Sequence, residues 1–230
     1  MHHDDYMPSR SPSTTETWEA PWPAGLWMCD LVGPAPAGFL LTADEQAYLR
    51  GADPGRRAEF TAVRWCAGEV LHRLGVDDRP HLVPGPGGNP PWPAEVLGSM
   101  THTHGHVLAA AARTDSVSLL GIDAEPNRPL TPFGRDHACS PDELAATQRW
   151  PAWVATDRLI ASCKEAFYKA VFPRDGKPLQ FPDVQVTLRP DGIFTARERG
   201  TDTDLPGRWQ IRRGNLVTVV ALPGVAGEGC

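Results

Sequence analysis

The sequence predicts an α+β protein of two similar halves, each with a long helix packed on a small, mostly antiparallel sheet. Three observations predict it. The order strand, helix, strands occurs twice along the 230 residues. Two capping-box signatures, Thr42-Ala43-Asp44-Glu45 and Ser140-Pro141-Asp142-Glu143, begin 98 residues apart (140 minus 42), one in each half. Hydrophobic residues make up 41% and charged residues 22%. That is ordinary globular usage, in a chain long enough to bury one large core or two small ones.

The elements follow in order. Residues 1–20 are polar and rich in Pro, Ser and Thr, and read as a disordered segment. The first half is then 21–115 and the second 116–230. Leu26 to Val32 reads as a strand. After the Thr42 box, a helical stretch breaks near Asp53-Pro54-Gly55. It resumes with apolar residues at spacings of three and four through Phe60, Val63, Cys66, Val70 and Leu74, and Gly75 ends it. Residues 84–93 form an irregular Pro/Gly loop, and Met100 to Ala112 a strand or strand pair. Val117 to Ile122 is an apolar strand. A long helix is expected from about Trp153 to Phe172, stopping before Pro173. Val184–Leu188, Ile193–Arg197 and Trp209–Leu222 alternate like an antiparallel meander.

Bulk properties exclude several classes. A net charge of −6 gives no global reason to bind nucleic acid. The five cysteines are scattered with no CxxC pair, which argues against a disulfide framework and for a reducing compartment. No apolar run approaches the roughly 20 residues of a membrane span. The start lacks a basic segment followed by an apolar one. A soluble, cytoplasmic monomer is expected.

The chemistry concentrates in two segments, Gly121-Ile122-Asp123-Ala124-Glu125 and Lys164-Glu165-Ala166-Phe167-Tyr168-Lys169. Asp123 and Glu125 are two apart on what reads as a strand end, so both carboxylates point to one side. At about 5 Å and an effective dielectric near 20 they repel by roughly 3 kcal/mol. Mg²⁺ facing a diphosphate would relieve this; water or Arg128 would too. Glu165 and Lys169 are four apart on one helix face, either an exposed ion pair or, given the apolar residues around them, buried charges that need partners. Thr101-His102-Thr103-His104-Gly105-His106 reads as a His-x-His zinc site, a phosphate contact or structural histidines. Arg56, Arg57, Arg64 and Arg73 make the first long helix basic. Guanidinium groups there would suit phosphate or simply face water.

Taken together, these motifs resemble the 4′-phosphopantetheinyl transferases, in the branch associated with enterobactin-type siderophore synthesis and actinobacterial polyketide assembly. The resemblance rests on Arg56-Arg57-Ala58-Glu59-Phe60, Val63-Arg64-Trp65-Cys66-Ala67, Pro91-Trp92-Pro93, Gly98-Ser99-Met100-Thr101-His102, Gly121-Ile122-Asp123-Ala124-Glu125-Pro126 and Lys164-Glu165-Ala166-Phe167-Tyr168-Lys169-Ala170. It implies a pseudo-twofold fold with the site between the halves. It implies transfer of phosphopantetheine from coenzyme A to a serine of an apo acyl or peptidyl carrier protein, with release of 3′,5′-ADP. Asp123, Glu125 and Glu165 would hold Mg²⁺ or Mn²⁺. Glu165 would be the general base. Lys169 would stabilise the diphosphate, Lys164 would contact phosphate, and His102 and Arg56, assisted by Arg64, would bind the 3′-phosphate end of coenzyme A. Two positions depart from the family. Gly87 stands where relatives often carry a coenzyme-binding lysine, and Ala161 where they tend to carry an aromatic residue. The alternatives are a zinc hydrolase using His102, His104 and His106, or a non-catalytic carrier-binding homologue.

Overall fold

A computed structural model describes residues 14–20, 22–76, 80–85, 88–103 and 105–224. The first sheet has strands β1 (Thr14–Glu19), β2 (Trp27–Val32), β3 (Val96–Thr103) and β4 (His106–Arg113) in the order β1-β2-β4-β3. The second has β5 (Val117–Pro126), β6 (Val184–Leu188), β7 (Ile193–Glu198), β8 (Leu205–Arg212) and β9 (Asn215–Pro223) in the order β5-β9-β8-β7-β6. All the strand pairs are antiparallel. The helices are α1 (Ala43–Tyr48), α2 (Pro54–Arg73), α3 (Pro132–Ala138), α4 (Pro141–Thr147) and α5 (Thr156–Asp175). The fold is therefore α+β, as the repeated order predicts. Among the described residues, no helix is long and apolar enough to cross a membrane.

Alternation along the strands sorts the core into layers. Cys29, Leu31, Val107, Ala109 and Ala111 face α2, packing with Val63, Cys66, Ala67 and Val70. Met28, Leu108, Ala110 and Ala112 face the other way and meet Leu120, Ile122, Ala124, Val217 and Val219 of the second sheet. The far face of that second sheet carries α5 through Leu159, Ile160, Cys163, Phe167 and Val171. Period-2 alternation on both strands of an antiparallel pair makes each sheet two-faced, so the layers run α2, sheet, sheet, α5.

Local signals place the helices. Both capping boxes are closed by reciprocal bonds: Glu45 N–H to Thr42 Oγ1 with Thr42 N–H to Glu45 Oε2, and the same at Ser140 and Glu143. Asp53 caps α2, accepting from Arg56 N–H at 3.0 Å, with Pro54 at the first helical position.

Three expectations are corrected. Thr14–Glu19, placed in a disordered segment, forms the edge strand β1, while residues 1–13 lie outside the described residues. Its polar composition hides a strand whose Trp18 packs on the inter-sheet core and carries the Arg212 guanidinium 4.0 Å over its ring. Pro173 lies inside α5, which ends at Gly176 in the left-handed region (φ 62°). Pro173 removes one N–H from the last turn, and the Gly176 N–H closes the helix end on the Phe172 carbonyl at 2.8 Å. β5 runs past Ile122 to Pro126, so Asp123 lies within it and Glu125 one residue from its end, paired with Thr218 and Leu216 of β9.

Two contacts join the halves near these carboxylates. Ser99 Oγ on the edge strand β3 accepts the Ile122 N–H of the edge strand β5 at 3.0 Å. Thr101, one step along the same face of β3, donates to Asp123 Oδ1 at 3.1 Å. On the far side, fully buried Asp30 of β2 accepts from Arg212 and Arg213 at the β8–β9 turn. His106 Nε2 lies 3.4 Å from Asp30 and its Nδ1 lies 3.0 Å from Asn215. Burial alone would raise the Asp30 carboxyl, but hydrogen bonds from His106, Arg213 and Arg212 outweigh it and hold it well below the usual carboxylate range.

Of the described glycines, Gly121 has the least room for a side chain. A Cβ there would lie 2.1 Å from the Ala166 carbonyl oxygen and 2.4 Å from the Ala170 nitrogen of α5. Backbone, unlike a flexible side chain, cannot yield, so Gly121→Ala should lower stability by about 3 kcal/mol. Urea denaturation checks this; an unchanged midpoint would show that α5 can withdraw from β5 at no cost.

Candidate active site between the two halves

The face of β5 that meets α5 carries Gly121, Asp123 and Glu125 at alternate positions. Opposite them, α5 presents Ala166 and Ala170 to Gly121. It offers Ser162 and Lys169 to Asp123, and Arg158 to Glu125. Asp123 is 5% exposed. Its Oδ1 accepts from Lys169 Nζ at 2.7 Å and from Thr101, and its Oδ2 from Ser162 Oγ at 2.9 Å. Thr218 Oγ1 lies 2.9 Å from Ser162 Oγ and completes the buried chain. Glu125 Oε2 pairs with Arg158 Nη1 at 2.8 Å, and the same guanidinium donates to the carbonyls of Arg128 and Pro129.

Arg158, Ala161, Ser162, Glu165 and Lys169 form one stripe on α5 and line a cavity of about 500 Å³ together with Asp123 and Glu125. Glu165 is half-buried. Burial first, and then the charges of Asp123 and Glu125, push its carboxyl above the usual value, with Lys169 opposing. The nearby cations are already engaged: Lys169 on Asp123 and Arg158 on Glu125. No preformed cluster of three or more His, Cys, Asp or Glu side chains stands ready to hold a metal among the described residues. The donor chemistry nevertheless fits a hard divalent cation: three carboxylates line one cavity, and burial together with the charges of Asp123 and Glu125 raises the Glu165 carboxyl.

A second cavity, of about 580 Å³, shares Met100, Thr101, His102 and Lys169 with the first and extends to Arg56, Glu59, Arg64, Trp92 and Arg174. His102 Nε2 and Arg56 Nη1 both contact Glu59 Oε1, at 3.0 and 2.6 Å. The structure thus brings His102 and Arg56 together on a carboxylate. Burial lowers the His102 imidazole; Glu59 opposes this, and Arg56 and Lys169 add to it. Trp92 lies against Gly98, where a Cβ would fall 2.2 Å from the indole; the Trp-Pro and Gly-Ser motifs are two sides of one wall.

Other expected residues are placed elsewhere. Lys164, expected at a phosphate, is 3% exposed and donates to Glu143 Oε2 at 3.0 Å and the Phe181 carbonyl at 3.1 Å. It lines neither cavity. Adjacent helical residues point about 100° apart, so Lys164 cannot share the Glu165 face. Arg64 reaches the wall of the larger cavity, yet it is 5% exposed, donates to the Leu82 carbonyl and lies 3.8 Å over the Phe60 ring. Of the three histidines, the two described ones have separate carboxylate partners. His102 binds Glu59 and buried His106 binds Asp30, while His104 lies outside the described residues, as does Gly87.

Sequence reasoning overlooked Glu59, Ser99, Arg158, Ser162 and Thr218. Ser162 sits one helical turn before Glu165, and Ser99 and Thr101 alternate within a quoted motif. Those spacings were the available signals. Arg158 and Thr218 carried none, since each meets its carboxylate only through the tertiary fold.

Fold and site now define a class. The N-terminal domain model of 4′-phosphopantetheinyl transferases matches residues 44–112, and the 4′-phosphopantetheinyl transferase superfamily model matches 119–221. The chain belongs to the 4′-phosphopantetheinyl transferase superfamily. It is similar to the 4′-phosphopantetheinyl transferase Svp of Streptomyces mobaraensis, with 40% identity over 204 residues covering 82% of this chain and 81% of the relative. It is also similar to PptT of Mycobacterium tuberculosis, 35% identical over 201 residues (81% and 88%), and to Npt of Nocardia iowensis, 31% over 198 (78% and 87%).

A raised carboxyl has a stability consequence. Its neutral form suits the fold, so its contribution is present below the usual 4.5 and is lost as pH rises through the raised value. Glu165→Gln should therefore unfold at a higher temperature than wild type at pH 7.5 with chelator present. The gap should close below pH 4.5. Thermal melts across pH check this; a variant less stable at pH 7.5 would contradict the assigned burial.

Proposed function

We propose that this chain transfers the 4′-phosphopantetheine group of coenzyme A to a serine hydroxyl of an apo acyl or peptidyl carrier protein, in the two joined cavities between its halves. The observation that carries this reading is their shared wall at Lys169 and His102, with Arg56 beyond it on one side and three carboxylates on the other. A cavity of about 580 Å³ suits a ligand of nucleotide size. His102 and Arg56 would receive the 3′-phosphate end of coenzyme A, leaving Glu59 to orient them. Lys169, held by Asp123, would lie along the diphosphate and offset its charge.

Asp123, Glu125 and Glu165 would hold Mg²⁺ or Mn²⁺, which when bound neutralises the diphosphate and the departing 3′,5′-ADP. Glu165 would take the serine proton, directly or through a water. The serine oxygen then bonds to the phosphorus next to pantetheine, and the bond from that phosphorus to the ADP oxygen breaks. A carboxyl raised by burial is a better base for a hydroxyl than an exposed one. Ala161, 8% exposed, lines the same cavity where relatives tend to place an aromatic ring. This leaves room for bulkier acyl-coenzyme A donors. Among the described residues the four cysteines are buried and free, which suits a reducing compartment such as the cytoplasm, and the net charge of −6 gives no global reason to bind nucleic acid.

The direct test is mass spectrometry of a panel of apo carrier proteins incubated with the chain, coenzyme A and Mg²⁺. One carrier should gain the mass of phosphopantetheine. Coenzyme A binding with no mass gain on any carrier would instead indicate a non-catalytic homologue. Glu165→Ala should lower kcat at least about a hundredfold, and substantial retained activity would remove Glu165 from the role of base. Ala161→Phe should reduce use of acyl-coenzyme A more than use of coenzyme A itself. Equal discrimination by variant and wild type would refute the wider channel.

A further inference from the structure

The capping box is ordinarily a local device, yet here the glutamate of each box reaches a cation on the long helix of its own half. In the second half, Glu143 is 5% exposed. Its Oε2 accepts the Ser140 N–H at 2.7 Å and Lys164 Nζ at 3.0 Å, and its Oε1 accepts the Val186 N–H at 2.8 Å. Lys164 adds the Phe181 carbonyl. One buried pair therefore fastens α5 to the start of α4, to β6 and to the short 3₁₀ turn Phe181–Asp183. In the first half, Glu45 is 0% exposed, its Oε2 accepts the Thr42 N–H at 2.9 Å, and its Oε1 lies 3.7 Å from Arg64 Nε of α2. The cations are 100 residues apart (164 minus 64) and the glutamates 98 (143 minus 45), so the arrangement repeats with the fold.

We infer that Glu143 and Lys164 form a buried strut, with Glu45 and Arg64 as its counterpart, and that Lys164 is a positioning residue for Glu165 and Lys169 rather than a phosphate contact. Lys164 lies on the stripe of Ile160, Phe167 and Val171, which faces the core, and Glu165 on the stripe that faces the cavity. Rotation or sliding of α5 would separate Lys164 from Glu143 and strand two charges in the core. The strut therefore fixes the screw position of the helix, and with it where Glu165 and Lys169 point.

The test rests on the transferase reading for its kinetic arm and on binding alone for the rest. Four variants are compared with wild type: Lys164→Met, Glu143→Gln, the double variant, and Lys169→Gln. The transition temperature should fall by about 10 °C in Lys164→Met, and the double variant should recover part of it, because removing both charges costs less than removing one. Below the transitions, kcat should drop about tenfold or more in each single strut variant, as a displaced helix predicts. The coenzyme A Kd, by calorimetry, should weaken in both Lys164→Met and Glu143→Gln, because either change displaces Lys169, and should recover in part in the double variant. A phosphate contact predicts another pattern: Kd weakened about tenfold in every variant lacking the ammonium, with no recovery in the double variant and no loss in Glu143→Gln. That result would overturn the strut. If Lys164→Met does not fold, Glu143→Gln and the double variant still decide between the two outcomes. Lys169→Gln should lose coenzyme A affinity; if it does not, the assignment of the cavities fails, independently of the strut.

Discussion

A strand and a helix touch backbone to backbone at Gly121, and the geometry of the site follows from that contact. Two strand residues advance about 6.7 Å and four helical residues about 6 Å. Running in opposite senses from the Gly121 contact, β5 and α5 therefore stay in step. Gly121 meets Ala166 and Ala170, Asp123 meets Ser162, and Glu125 meets Arg158. A side chain at 121 would push the helix outward and break all three pairings together. With the glycine, polar groups four residues apart on a mostly buried helix each find a partner two residues apart on a buried strand.

The same contact concentrates charge. Asp123, Glu125 and Glu165 project toward one cavity, and the cations available to them are Lys169 and Arg158. Burial first, and then the two neighbouring carboxylates, raise the Glu165 carboxyl. Such an arrangement is costly for an isolated fold and useful for one that meets a cation and a diphosphate together. The supporting side chains are neutral: Thr101, Ser162 and Thr218 satisfy the remaining oxygens of Asp123 without adding charge.

Patterns with a short period were legible in the sequence. Both capping boxes, the two long helices, the apolar β5 and the final meander all followed from spacing, because each depends on residues within a few positions of one another. β1 was not, since an edge strand needs few apolar residues and its composition resembles a loop. The site divided along the same line. Asp123, Glu165 and Lys169 were legible as charges on shared faces. A shared motif does not reveal which side of a helix each residue takes: Lys164 turns to Glu143 and Glu165 to the cavity. Arg158 becomes a partner of Glu125 only across 33 residues.

The ionic cluster at Asp30 bears on what the two halves are. Each has its own sheet, its own long helix and its own capping box, which suggests two modules fused in tandem. Yet the carboxylate of Asp30 belongs to the first module and Arg212 and Arg213 to the second. A chain cut between β4 and β5 would bare the facing apolar layers of the two sheets and part Asp30 from both arginines. The repeated element order therefore does not make the halves autonomous, and they are expected to fold only as complementary fragments of each other.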